Sequence, residues 1–154
     1  EHFEAELSER SLRGVLDRSV ARGQIKRLLV NIPPATSKSM LCCVLWPVWI
    51  WAAMDPRQRH LFSSYSEEFT KRDLRKSQEL IHTEWFQARW PGVQIAPLPD
   101  TQMEYHNTAG GERHGASTGS GVTGKHVHGI VEDDPLKQQI GEAMVRSFRA
   151  DAGG

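Results

Sequence analysis

The apolar run Leu28–Leu29–Val30–Asn31–Ile32 is followed by the turn Pro33–Pro34–Ala35–Thr36–Ser37. Lys38–Ser39 then opens a second apolar run, Met40 to Ala53. This succession constrains the fold more than any other stretch. A β-branched and leucine-rich segment between polar flanks predicts a buried strand. The second run is 14 residues long, short of the roughly 20 that a bilayer requires. It also contains Pro47, which kinks or restarts a helix. A core helix packed on a sheet is therefore predicted.

Strand, turn, Lys-Ser and helix is also the layout of a phosphate-binding loop. Turn N–H groups and the helix N-terminus face an anion, lysine adds charge, and serine can ligate Mg²⁺. The usual pattern is Gly-x-x-x-x-Gly-Lys-Ser/Thr; here its glycine positions hold Ile32 and Ser37. A Pro-Pro turn capped by Ser37 or Ser39 is the simpler alternative.

A second feature strengthens the first. Val127 to Glu132 predicts another buried strand, and it runs into Asp133–Asp134–Pro135. Paired acids at a strand end suit phosphoryl transfer, one holding the metal and the next deprotonating water. Asp133 is assigned to the metal with Ser39, and Asp134 to the catalytic base. An Asp-Pro turn after a strand is the plain alternative. Parallel strands can bring both motifs to one sheet edge.

Between these motifs the pattern predicts an α/β domain. Glu1 to Arg22 has helical spacing at Phe3, Leu7, Leu12, Val15, Leu16 and Val20. Arg59–Tyr65 predicts a strand, and Ser66 caps a helix to about His82, with Glu67 and Glu68 in its first turn. Lys71, Arg72, Arg75 and Lys76 of that helix form a solvated face or touch phosphate. Glu84–Trp90 predicts one helical turn with Trp85, Phe86 and Trp90 inward. Pro91–Asp100 predicts a loop. Met103–Asn107 and Glu112–Ser117 predict a hairpin across Thr108–Gly111. Gly115–Gly124 is a Gly/Ser/Thr-rich loop, and a helix is predicted from about Gln138 to Ala150.

At 154 residues one domain, or most of one, is expected. Nineteen basic residues balance 19 acidic ones, so no global field draws in or repels nucleic acid. The only two cysteines, Cys42 and Cys43, are adjacent within the apolar run. That placement suits buried small hydrophobes and a reducing compartment.

With these motifs in order, the chain resembles the large terminase subunit of tailed bacteriophages and prophages. The matching pieces are Leu28–Pro34 with Ser37–Lys38–Ser39, Ser64–Tyr65–Ser66–Glu67–Glu68 with Arg72–Asp73 and Arg75–Lys76, Asn107–Gly111, Gly121–Gly124, and Asp133–Lys137. The resemblance spans nearly the whole chain. It implies a P-loop NTPase fold of the ASCE type. Such a fold has a mainly parallel sheet flanked by helices, a small β-hairpin insertion, and a strand between the two nucleotide motifs. It implies ATP and Mg²⁺ as cofactors, bound by a loop of Pro34, Ala35, Thr36, Ser37, Lys38 and Ser39, with Lys38 catalytic. The implied work is packaging of double-stranded DNA into a procapsid. Implied partners are the portal protein, the small terminase subunit and further copies in a ring, in the host cytoplasm and away from membranes. Relatives often carry a loop arginine where this chain has Ala35–Thr36, and Lys125 is the substitute cation. Glu132 stands where relatives have an apolar residue. The chain is expected to be truncated, without the coupling motif and the nuclease domain. Two alternatives remain: another nucleic-acid-stimulated P-loop ATPase, and a folded remnant that binds or assembles without hydrolysis.

Overall fold

A computed structural model of the chain describes residues 2–5, 16, 25–33, 35–117 and 124–134. The elements are β1 (His2–Ala5), β2 (Arg27–Val30), a π-helical segment (Met40–Leu45) running into α1 (Trp46–Ala53), β3 (Arg59–Ser64), α2 (Glu67–His82), α3 (Glu84–Arg89), β4 (Ile95–Thr101), β5 (Glu104–Asn107), β6 (Glu112–Ser117) and β7 (Gly129–Asp133). The fold is α/β. Strands β4-β5-β6-β3-β7 form one mixed sheet, and β1 with β2 form a separate parallel pair. None of the helices among the described residues is long and apolar enough to cross a membrane.

Four expectations need correction. His2–Ala5 is a strand rather than the start of a helix; its backbone pairs in parallel with Arg27–Val30, and such pairing overrides a local periodic pattern. The five-stranded sheet is mixed rather than mainly parallel, because β6 and β7 run parallel to β3 while β4-β5 and β5-β6 are antiparallel. The hairpin is not an insertion, since its second strand lies directly against β3. Residues 95–101 form an edge strand despite Pro97 and Pro99; an edge tolerates residues without an N–H, and the register shifts between Ile95 and Asp100. The helix predicted at 138–150 and most of the one at 1–22 lie outside the described residues.

The helices cover one face of the sheet. α2 buries Thr70, Asp73, Leu74, Ser77 and Ile81, a three-four spacing that puts one stripe against the strands. Ser66 holds the N-cap position but its side chain makes no capping bond. Thr70 ties the helix start to β6 instead, its hydroxyl donating to the Ala116 carbonyl at 3.1 Å, with the Ser66 carbonyl 3.3 Å away. Gly115 of β6 permits the close approach, since a Cβ there would lie 2.7 Å from both Leu74 Cδ1 and Thr70 Cγ2. Val48, Trp51, Leu74, Ile81, Phe86, Val93 and Tyr105 form the core. Each such side chain contributes about 1.5–3 kcal/mol on burial. Trp85 does not join them. It is 54% exposed and stacks against Trp90 and Arg89.

Pro47 does not end the helical run: it stands in the first turn of α1, where the missing N–H costs little. The helix is also tied to the sheet, because the Arg113 guanidinium of β6 donates to the Cys43 carbonyl at 2.9 Å. Arg113 is almost fully buried, and its strand neighbour His60 is buried with it. Burial, then the charges of Arg113 and His128, pushes the His60 imidazole down to about 3. Between about pH 6.5 and 3 the unfolded chain takes up a proton that folded His60 refuses, so stability falls as pH falls. Urea unfolding from pH 7 to pH 4 is expected to show this loss, at most about 1.4 kcal/mol per pH unit from this group. His60→Gln should flatten the slope; an unchanged slope would assign the acid sensitivity to other groups.

Candidate functional site

The loop that follows β2 meets the end of β7. Ser39 Oγ donates to Asp133 Oδ2 at 2.5 Å, and Lys38 Nζ donates to Asp134 Oδ1 at 2.8 Å and lies 3.3 Å from Asp133 Oδ1. Four residues from opposite ends of the chain thus converge. Lys38, Asp133 and Asp134 border a cleft of about 1370 Å³ whose walls include Leu28, Val30, Trp46, Ile130 and Glu132.

Local backbone geometry makes this convergence possible. Ala35 and Ser37 have φ of 62° and 60°, the left-handed region that non-glycine residues rarely occupy. Ser37 occupies a glycine position of the usual loop pattern. Alternation of left- and right-handed residues turns successive N–H groups inward and makes an anion-binding concavity. The Thr36 hydroxyl closes the loop internally, donating to the Pro33 carbonyl at 2.7 Å. Leu41 N–H donates to the Ser37 carbonyl at 2.9 Å and starts the helix. Lys38 and Ser39 therefore stand on its first turn. Pro34 lies outside the described residues.

The acid pair also depends on a backbone departure. Neighbouring residues of a strand point to opposite faces, so adjacent acids in regular β geometry cannot both reach one ammonium. Asp134 has φ of 45°, which breaks the alternation and lets both carboxylates face Lys38. The two differ in solvation: the Asp133 side chain is 13% exposed and that of Asp134 is 68%. Burial alone would lower the Lys38 pKa, but the hydrogen bond to Asp134 and the charges of both acids outweigh it and raise it. Lys38 is thus a fixed cation at neutral pH. Below the loop, burial and then the charge of Asp133 push the Cys42 thiol up to about 11, and Cys43 is pushed up further by the same causes. Neither is a thiolate at neutral pH, and neither forms a disulfide.

The site offers hard donors to a cation: a serine hydroxyl and a carboxylate facing each other. Mg²⁺ typically takes one or two protein oxygens and fills its shell with water and phosphate oxygens. Ser39 and Asp133 fit that role, and the loop with Lys38 fits the phosphates.

Other expected site residues are placed differently. Lys125 is held by Glu104 Oε2 at 2.7 Å and His114 Nδ1 at 2.9 Å, outside the Lys38–Asp134 group. β2, although it leads into the loop, is not hydrogen-bonded to the five-stranded sheet, and β2 is half-exposed, with Leu29 61% accessible, rather than covered on both faces. β7 is likewise half-exposed rather than buried, with Ile130 61% accessible. β2 and β7 belong to different sheets, so among the described residues no shared sheet places a strand between the two motifs. The basic face of α2 is ion-paired within itself, Lys71 to Glu67 at 2.6 Å and Arg75 to Glu79 at 3.0 Å. Arg113, which supports the helix after the loop by donating to the Cys43 carbonyl, is not singled out by any sequence motif.

A double-mutant cycle on Ser39→Ala and Asp133→Asn should return a coupling of about 0.5–3 kcal/mol in unfolding free energy. Additive effects would mean the two side chains do not meet in solution. In comparisons with protein-family models, curated proteins and solved structures, the chain matches none.

Proposed function

We propose that the chain is the ATP-binding and ATP-hydrolysing motor domain of a phage terminase large subunit, with a P-loop NTPase fold. The observation that carries this reading is the meeting of Lys38 and Ser39, at a helix start after a strand, with Asp133 and Asp134 at the end of another strand. Ala35, Thr36, Ser37 and the helix N-terminus bind the phosphates through backbone N–H groups. Lys38 exchanges its carboxylate partners for phosphate oxygens. Ser39 and Asp133 hold Mg²⁺, which when bound neutralises charge on the transferred phosphoryl group. Asp134, the more exposed acid, orients the attacking water and accepts its proton. In the whole assembly this chemistry drives double-stranded DNA through the portal into a procapsid. The small terminase subunit and further copies in a ring are its partners, and the host cytoplasm is its setting.

One observation favours a second reading, a domain that binds nucleotide but does not hydrolyse it. Lys125, the only substitute proposed for a loop arginine, is engaged by Glu104 and His114. A cation at the γ-phosphate contributes about 10³–10⁵ in rate when an arginine supplies it. Steady-state ATPase measurements on the chain distinguish the two readings.

ATP with Mg²⁺ should bind, and Lys38→Ala should weaken binding by roughly 1.5–3 kcal/mol, a tenfold or greater rise in Kd. Equal affinity of both proteins by calorimetry would end the nucleotide reading. Asp134→Asn should keep binding and abolish any hydrolysis; normal turnover in that variant would move the base to Glu132.

A further inference from the structure

The β5–β6 hairpin carries the same Glu-x-His pattern on both strands: Glu104-Tyr105-His106 and Glu112-Arg113-His114. Residues two apart on a strand share a face, and so do directly opposed residues. The register sets Glu104 against His114 and His106 against Glu112. All four side chains therefore stand on one face. Tyr105 and Arg113 stand on the other, where Tyr105 meets Ser77 of α2 and Arg113 meets the Cys43 carbonyl.

The four are not independent surface charges. His106 Nε2 lies 3.0 Å from Glu104 Oε1, and His114 Nδ1 lies 3.4 Å from Glu104 Oε2. The His114 side chain is only 5% exposed. One atom from each of Glu104, His106 and His114 lies within 4.8 Å of the others. The proton on His114 is also located. Lys125 Nζ, an ammonium with no lone pair, stands 2.9 Å from Nδ1, so Nδ1 accepts. Nε2 then carries the hydrogen and donates to Glu112 Oε2 at 2.8 Å. A carboxylate that fixes the tautomer and aims the free imidazole nitrogen inward is the outer-shell arrangement of metal-bound histidines.

We propose that Glu104, His106 and His114 form a binding site for a divalent transition-metal ion of the zinc class, with Glu112 orienting His114 and the Lys125 ammonium as the built-in cation that the ion displaces. Two imidazoles and one carboxylate are a donor set for Zn²⁺, and they leave a fourth position open. Glu104 presents one oxygen to each imidazole, Oε1 to His106 Nε2 at 3.0 Å and Oε2 to His114 Nδ1 at 3.4 Å; ligand atoms of a tetrahedral ion stand about 3.3–3.6 Å apart, so a modest contraction of the 4.8 Å cluster closes it around an ion. Imidazole selects zinc, copper or nickel over Mg²⁺. The position of Lys125 Nζ, 2.7 Å from Glu104 Oε2 and 2.9 Å from His114 Nδ1, marks where this face attracts positive charge. The lysine side chain is 38% exposed, and its flexible stem can swing to water. An ion here would tie β5 to β6 and release the segment that leads into β7. The proposal is independent of the nucleotide reading.

The 154-residue protein, stripped of metal, is titrated with Zn²⁺ by calorimetry and with Co²⁺ by visible absorption. One ion per chain is expected, with the absorption of a nitrogen-and-oxygen site and no thiolate charge-transfer band. His106→Ala and Glu104→Gln should each weaken binding at least about tenfold, and Glu112→Gln about 10- to 100-fold. Lys125→Met removes no ligand and should tighten binding, which keeps the test decisive where a buried-histidine variant fails to fold. No saturable binding to the wild type, a thiolate band from Cys42 or Cys43, unchanged affinity in His106→Ala, or unchanged affinity in Lys125→Met would overturn the site.

Discussion

Contact between the Lys38–Ser39 turn and the Asp133–Asp134 pair governs how this structure is put together. β2 brings the chain to the turn without a hydrogen bond to the main sheet. Side chains, rather than a shared ladder, register the loop against the end of β7. Lys38 and Asp133 are largely buried while Asp134 is exposed, so the Lys38–Asp133 attraction is screened less than that of a surface pair. Positive φ at Ala35, Ser37 and Asp134 carries a strain of about 1–3 kcal/mol for each residue. The strained residues and the ion pair occupy the same few ångströms. Their coincidence is the physical basis for regarding this edge as a binding site.

Beneath the loop a second constraint joins the π-helical segment to β6, where the buried Arg113 guanidinium donates to the Cys43 carbonyl. Burying an arginine with few partners is costly, and among the described residues its Nε and Nη1 have no hydrogen-bond partner, nor do Trp46 Nε1 and His60 Nδ1. All four atoms border the interface between the loop helix and strands β3 and β6. Neutral His60 lowers the charge density there.

The two faces of the sheet do different work. The helix side is a packed apolar core, tightened by Gly115 and by the Ser77–Tyr105 hydrogen bond of 2.7 Å. The opposite side of the hairpin holds paired acids and imidazoles around an ammonium. Strand alternation alone produces this division: one register shift would exchange Tyr105 and Arg113 for Glu104 and His114 and bury the charges against α2.

Much of this was determined by local sequence. The boundaries of β3, α2 and the β5–β6 hairpin follow from short-range signals: β-branched and aromatic runs, acids in a first helical turn, and an Asn-Thr-Ala-Gly-Gly turn. In that turn the Asn107 side chain accepts from Ala109 and Gly111 N–H at 2.9 Å. The meeting of Lys38 and Ser39 with Asp133 and Asp134 was legible too, because each pair stands next to a strand end. Tertiary structure decided the rest. Strand order, the mixed direction of the sheet, the pairing of His2–Ala5 with β2 and the edge strand at Ile95–Thr101 are set by distant backbone partners, which no local pattern encodes. Lys125 shows the same limit at one residue. Its sequence position next to the β7 strand suggested the phosphate site, but the fold carries Glu104 and His114 to it, and a flexible ammonium goes to the nearest carboxylate.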